Sequence, residues 1–172
     1  LLSVSGQLDL PPFGPPDAVD ERPDGLVTSR RTSAGWRRSI FVQQRRTKIP
    51  TLLENFDFPQ MGPNCLERGE SIVATQALHL LNNAMVHELA GHFATRVSSM
   101  TGAEPTQRVR TVYRLAMSRE PTAEESQLGV ELLEQFEKRW LASGLKESEA
   151  AQKSLASYCH GIMNSAAFLY VD

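Results

Sequence analysis

The stretch Pro121-Thr122-Ala123-Glu124-Glu125-Ser126-Gln127-Leu128-Gly129-Val130-Glu131-Leu132-Leu133-Glu134-Gln135-Phe136-Glu137-Lys138-Arg139-Trp140 decides the fold. Thr122 followed three residues later by Glu125 is the pattern of a capping box. In it a hydroxyl and a carboxylate each satisfy an amide that the first helical turn leaves open. Leu128, Leu132, Leu133, Phe136 and Trp140 then fall at helical spacing, which puts one apolar stripe along the helix. Gly144 is the natural stop, because glycine adopts the left-handed conformation that ends helices.

The same period extends on both sides. Leu78, Leu81, Met85, Leu89, Phe93 and Val97 recur at steps of three and four and predict a helix from about Ala74 to Ser99. Thr101-Gly102 and Pro105 end it. A second helix is predicted over Gln107 to Ser118, with Val109, Val112, Tyr113, Ala116 and Met117 inward and Thr106 as N-cap. The last runs from about Lys146 to Ser165, with Leu155, Tyr158, Cys159, Ile162 and Met163 on its apolar face. Four amphipathic helices with short joints predict a mainly α chain built as a helical bundle of about four helices.

Before Ser71 the pattern is different. Pro11-Pro12, Gly14-Pro15-Pro16, Pro23, Gly25, Gly35, Pro50, Pro59 and Gly62-Pro63 exclude a long helix, because proline fixes φ and removes a donor. Loops are expected, with one strand-like run at Ser39-Ile40-Phe41-Val42 and a short helix at Thr51 to Asn55. The expected organisation is a single domain over 1–172, in which an irregular basic segment, 1–70, wraps on a bundle, 71–172.

Totals exclude several classes. A chain of 172 residues suits one domain. A net charge of −2 gives no general affinity for nucleic acid or a membrane surface. No apolar run approaches the roughly 20 residues of a membrane span. The two cysteines, Cys65 and Cys159, form no CxxC motif; they read as ordinary buried thiols or as one long-range disulfide. No CxxCH haem attachment motif is present, so no cofactor is expected in this chain.

No catalytic motif stands out. His87-Glu88-Leu89-Ala90-Gly91-His92 resembles a zinc-protease motif, but its histidines are five apart, not four, and point to different helix faces. No metal site and no catalytic set is predicted. Glu124-Glu125 is explained by the helix N-terminus, and Asp57 by a turn before Pro59.

The basic tract is the distinctive feature. Between Gly25 and Leu53 lie Arg30, Arg31, Arg37, Arg38, Arg45, Arg46 and Lys48 and no acid, so this stretch is +7 and the rest −9. One reading is an anion-binding surface for a sulfated or carboxylated glycan, with Trp36 as stacking platform and Arg37, Arg38, Arg45 and Arg46 as contacts. The other, favoured by the opposite charge of the two halves, is that these arginines pair with the acidic helices of the same domain. Thr75, Gln76 and Asn82 read as polar fasteners for the loops.

Several runs taken in order carry a resemblance: Arg37-Arg38-Ser39-Ile40-Phe41, Arg45-Arg46-Thr47, Thr75-Gln76-Ala77-Leu78, Tyr113-Arg114-Leu115-Ala116-Met117 and Phe168-Leu169-Tyr170-Val171-Asp172. Together they resemble the C-terminal, planctomycete-specific domain of unknown function. That domain follows a second uncharacterised domain, and often a cytochrome c-type haem domain, in large exported proteins. Leu1 to Asp9 resembles an internal stretch of it, so the chain is expected to be the C-terminal portion of a larger protein. The resemblance implies a periplasmic or cell-surface location, which favours a Cys65–Cys159 disulfide more than the spacing does. It implies an upstream domain of the same polypeptide as partner and supplies no catalytic residues. The expected function is a non-catalytic structural or interaction module. The rivals are binding of anionic polysaccharide, and a part of an enzyme completed upstream, for which Asp57 and His79 are the first residues to test.

Overall fold

The computed structural model describes residues 1–10, 13–45, 47–58 and 74–170. These are mainly helical with two small two-stranded sheets. They divide into two compact units, Gln7–Leu80, and Leu1–Gly6 together with Leu81–Asp172.

In the unit Gln7–Leu80 the strands are short. β1 (Leu8–Asp9) pairs in parallel with β4 (Trp36–Arg37), and β2 (Val19–Glu21) pairs antiparallel with β3 (Val27–Ser29). The β1–β4 contact requires glycine beside it. A Cβ on Gly35 would lie 2.2 Å from the Gln7 carbonyl oxygen, so no other residue lets the Trp36 amide reach that carbonyl at 2.8 Å. The strand expected at Ser39–Val42 is instead a 3-10 turn, Ser39–Phe41, closed by bonds from Phe41 N to Arg38 O and Val42 N to Ser39 O. The turn carries the Phe41 ring back beneath the Arg37 guanidinium, 4.9 Å away, which an extended run does not do. The helix expected at 51–55 is present as α2 (Thr51–Asn55).

The long helix expected from 74 to 99 is two helices. α3 (Ala74–Asn82) stops at Asn83, whose side-chain oxygen accepts from the Met85 amide at 2.8 Å and so caps α4 (Ala84–Met100). The break resets the helical phase. Leu89, Phe93 and Val97 are buried as the stripe predicts, but Leu78 is 57% exposed. α5 (Pro105–Met117) also starts earlier than expected. Glu104 is its N-cap and accepts from the amides of Thr106 and Gln107, with Pro105 in the first position that tolerates it. α6 (Ala123–Ala142) opens with the expected capping box, Thr122 Oγ accepting from Glu125 N and Glu125 Oε2 from Thr122 N. α7 (Glu147–Met163) and a last turn, α8 (Ala166–Leu169), complete the chain; α1 (Leu2–Ser5) packs on α4.

The helical core is made chiefly by Leu89, Phe93 and Val97 of α4, Val109 and Val112 of α5, and Leu155 and Met163 of α7. α7 lies against both α4 and α6, and α5 against α6. Where α5, α6 and α7 meet, Gly129 is the spacer. A Cβ there would stand 2.7 Å from the Tyr158 hydroxyl and 2.8 Å from both methyls of Val109. Ser154 fixes α7 to α6 by donating to the Leu133 carbonyl at 2.6 Å.

Two glycine substitutions separate packing from helix propensity. Gly129→Ala forces an overpacked contact and is expected to cost about 1–3 kcal/mol. Gly91→Ala in α4, where an added Cβ meets nothing within 4 Å, is expected to stabilise by about 0.5–1 kcal/mol. Urea unfolding of the two variants beside the parent gives the signs directly.

Candidate functional site

The arginines of the basic tract have partners inside their own unit. Arg37 is 7% exposed. Its Nε donates to both carboxylate oxygens of Asp17 at 3.0 and 3.1 Å, and Nη2 donates to Asp17 Oδ1 at 2.6 Å. The same guanidinium donates to the carbonyls of Pro15 and Phe13. Asp17 is itself held in the sheet region, its amide donating to Phe41 O and its carbonyl accepting from Gln43 N, both at 2.8 Å. Arg30 forms a bidentate pair with Asp20, and Lys48 lies 2.9 Å from Glu21. The acids that answer these bases therefore sit in the loops and strands just upstream. They are not those of the helices, as the charge split between the two halves suggested. Residues 7–80 contain nine acidic and nine basic side chains, so this unit carries no formal net charge.

The predicted glycan contacts divide accordingly. Trp36 is 6% exposed, with the Arg31 guanidinium 5.0 Å over its ring, which closes the face a sugar would stack on. Arg37 is engaged as described. Arg38 and Arg45 are exposed, Arg38 lying 5.5 Å from the Phe41 ring. Arg46 lies outside the described residues. An open cleft of about 390 Å³ brings Arg30, Arg31 and Arg37 together with Asp9, Asp17 and Thr32. Within it the Thr32 hydroxyl donates to Asp9 at 2.8 Å, so the lining is a mixed-charge network.

The other predicted residues fall into structural places. Asp57 has φ 54° and occupies the left-handed position after α2, where Phe58 N reaches back to Leu53 O at 3.0 Å and closes the helix end. Burial lowers the pKa of His79. In the helical unit, His87 stacks on His160 with ring centroids 4.1 Å apart, while His92 lies 3.6 Å from Glu88. The two histidines of the HExxxH run thus face different neighbours. Among the described residues no three His, Cys, Asp or Glu side chains converge as metal ligands. Gln76 donates to the Asn55 carbonyl at 2.9 Å, fastening α3 to the end of α2. Cys159 is a fully buried thiol whose pKa burial pushes up; Cys65 lies outside the described residues.

A second cavity, not foreseen from the sequence, lies within the helical unit. It occupies about 270 Å³ between α5, α6 and α7, with Tyr113 and Tyr158 at its inner end and Glu125 at its rim. Leu128, Leu132 and Phe136, which the α6 stripe assigns to the core, form its walls, and Leu128 is 57% exposed. Burial pushes both tyrosine hydroxyls above their ordinary pKa. The Arg119 guanidinium, donating to both Glu125 oxygens at 2.7 Å, and the Thr122 amide hold the Glu125 carboxyl down at about 2. Arg119 also covers the Tyr113 ring at 5.1 Å. The sequence signal for this corner was the Thr122–Glu125 capping box, which did not place Arg119 on Glu125. Nothing in it placed Tyr113 against Tyr158.

A model for the family described as PSD1, a protein of unknown function (DUF1553), matches residues 1–133. No curated protein and no solved structure matches the chain.

Two outcomes follow from this geometry. Arg37→Ala and Asp17→Ala are each expected to lower the thermal midpoint, and the double variant to lower it by much less than their sum, because either change alone strands a buried charge. Arg38→Ala is expected to change stability by no more than about 0.5 kcal/mol. For Glu125 the folded pKa is depressed, so its contribution is present above the unfolded value of 4.5 and is lost as pH falls towards about 2. Glu125→Gln is expected to flatten that part of the acid limb in a pH series of unfolding midpoints.

Proposed function

The chain belongs to the PSD1 family of proteins of unknown function, and from that premise we propose that it is a non-catalytic structural and interaction module. In this reading α4 to α7 form a helical bundle, and the module packs against an upstream domain of the same polypeptide. That polypeptide is a large exported planctomycete protein located in the periplasm or at the cell surface. The observation that supports the reading best is the engagement of Arg37. Arg37, at the centre of the tract that looked most like a binding surface, is buried and paired with the Asp17 carboxylate in a charge-balanced unit. No helix among the described residues is long and apolar enough to cross a membrane, which fits a module carried by its neighbour domains. Large apolar side chains that the unit Gln7–Leu80 leaves outward, Phe13 at 86% and Ile40 at 79% exposure, are the first places to look for that neighbour.

Two measurements test it. On immobilised heparin at about 0.15 M salt, where exposed charges are screened beyond roughly 8 Å, the protein is expected to pass unretained. Retention that disappears in Arg38→Ala and Arg45→Ala would replace the structural reading with anionic-polysaccharide binding. Hydrogen exchange is then compared between residues 1–172 alone and the same residues within the longer polypeptide. Slower exchange around Phe13 and Ile40 in the longer chain is expected; identical exchange in both refutes packing on an upstream domain.

A further inference from the structure

We propose that the outward face of α6 pairs antiparallel with the α6 of a second copy of this chain. The case starts with a ridge. Glu124, Leu128, Leu132 and Phe136 are each four residues apart, a row that lines up along the surface of a helix and packs into the groove of another. Leu128 is 57% exposed, and the half-buried Leu132 and Phe136 line the cleft beside it. Three large apolar side chains in one row make a patch, where a single surface leucine needs no explanation.

The charges beside the ridge are sorted by end. Glu124 and Glu131 lie in the first half of the helix and Lys138 and Arg139 in the second, all four exposed. Among the described residues none of the four forms an ion pair. Glu125, by contrast, is already taken by Arg119. A partner of one sign answers only one end of this face. A small apolar molecule answers neither.

The same helix turned end for end answers both. Leu128 and Phe136 stand four residues to either side of Leu132, so the apolar row is symmetric about Leu132 while the charge changes sign across it. A twofold axis at Leu132 places Leu128 against Phe136 of the second copy and Leu132 against its own counterpart. It brings Glu124 beside Lys138 and Arg139 of the second copy, and the axis makes that contact twice. Glu131 lies nearest the axis and is drawn aside by the Gln127 amide at 3.0 Å. A parallel pair would set acid on acid and base on base. One helix from each copy makes a small interface, so the dimer is weak, with Kd on the order of 0.1 mM.

Sedimentation of residues 1–172 between about 10 μM and about 1 mM is expected to show a monomer passing into a dimer. Leu128→Asp, at an exposed position, is expected to keep the parent's unfolding midpoint and to stay monomeric throughout. Orientation is tested by charge. Glu124→Lys alone, and Lys138→Glu together with Arg139→Glu, are each expected to weaken the dimer about fivefold, because each reversal acts at two symmetric contacts. All three changes in one chain restore opposite charges across the axis and are expected to bring Kd back within about twofold of the parent. The proposal is overturned if the parent remains monomeric up to about 1 mM. Association that survives Leu128→Asp belongs to another surface and overturns it equally. So does a triple variant that dimerises no better than the separate charge reversals, or reversals that leave Kd unchanged, as a parallel pair would.

Discussion

One guanidinium organises the irregular unit. A segment rich in proline and glycine has few ladder hydrogen bonds, so its carbonyls need donors from elsewhere. The fork of Arg37 provides them. It grips Asp17 through two nitrogens and takes the carbonyls of Phe13 and Pro15, while its face rests on Phe41. Because Arg37 lies on β4, paired to Asp9 of β1, those contacts tie the segment that follows β1, the sheet itself and the turn after β4 into one knot. Lysine has no planar fork and makes no such arrangement. The remaining pairs, Arg30 with Asp20 and Lys48 with Glu21, are more exposed and trim the edges of the same structure.

The helices were legible where their signals are local. Thr122 and Glu125 are three residues apart and cap the same turn, so the start of α6 stands where the pattern puts it. Breaks were harder to read. Leu81 and Met85 are four residues apart in the sequence, so the stripe reads on across Asn83 while the backbone stops and is capped anew. Glu104 was missed as a cap because Thr106 is the more usual residue type, but Pro105 fixes the first helical position and leaves the cap to its predecessor. The run Ser39–Val42 has strand composition and still turns, since the rings and guanidinium groups around it reward the turn.

The site was legible in its composition and not in its pairing. The acid-free tract identified the arginines that matter. Their partners lie ten and twenty residues upstream, in Asp20 and Asp17, and no periodicity links them. Trp36 reads as an open aromatic among cations. Beside it, Gly35 admits the Gln7 backbone, and that approach buries the indole. The tyrosine corner joins α5 to α7 by a lateral contact across Gly129, a relation that side-chain spacing along one helix does not encode.

The burial of Cys159 has a chemical consequence. Its sulfur sits at zero exposure on α7, the helix that touches both α4 and α6, and its surroundings disfavour the thiolate that alkylating agents and oxidants attack. Reagent reaches that sulfur only when those helices part. Cys159 is therefore a native stopwatch for separation of the helices, ticking at the rate at which the core comes undone.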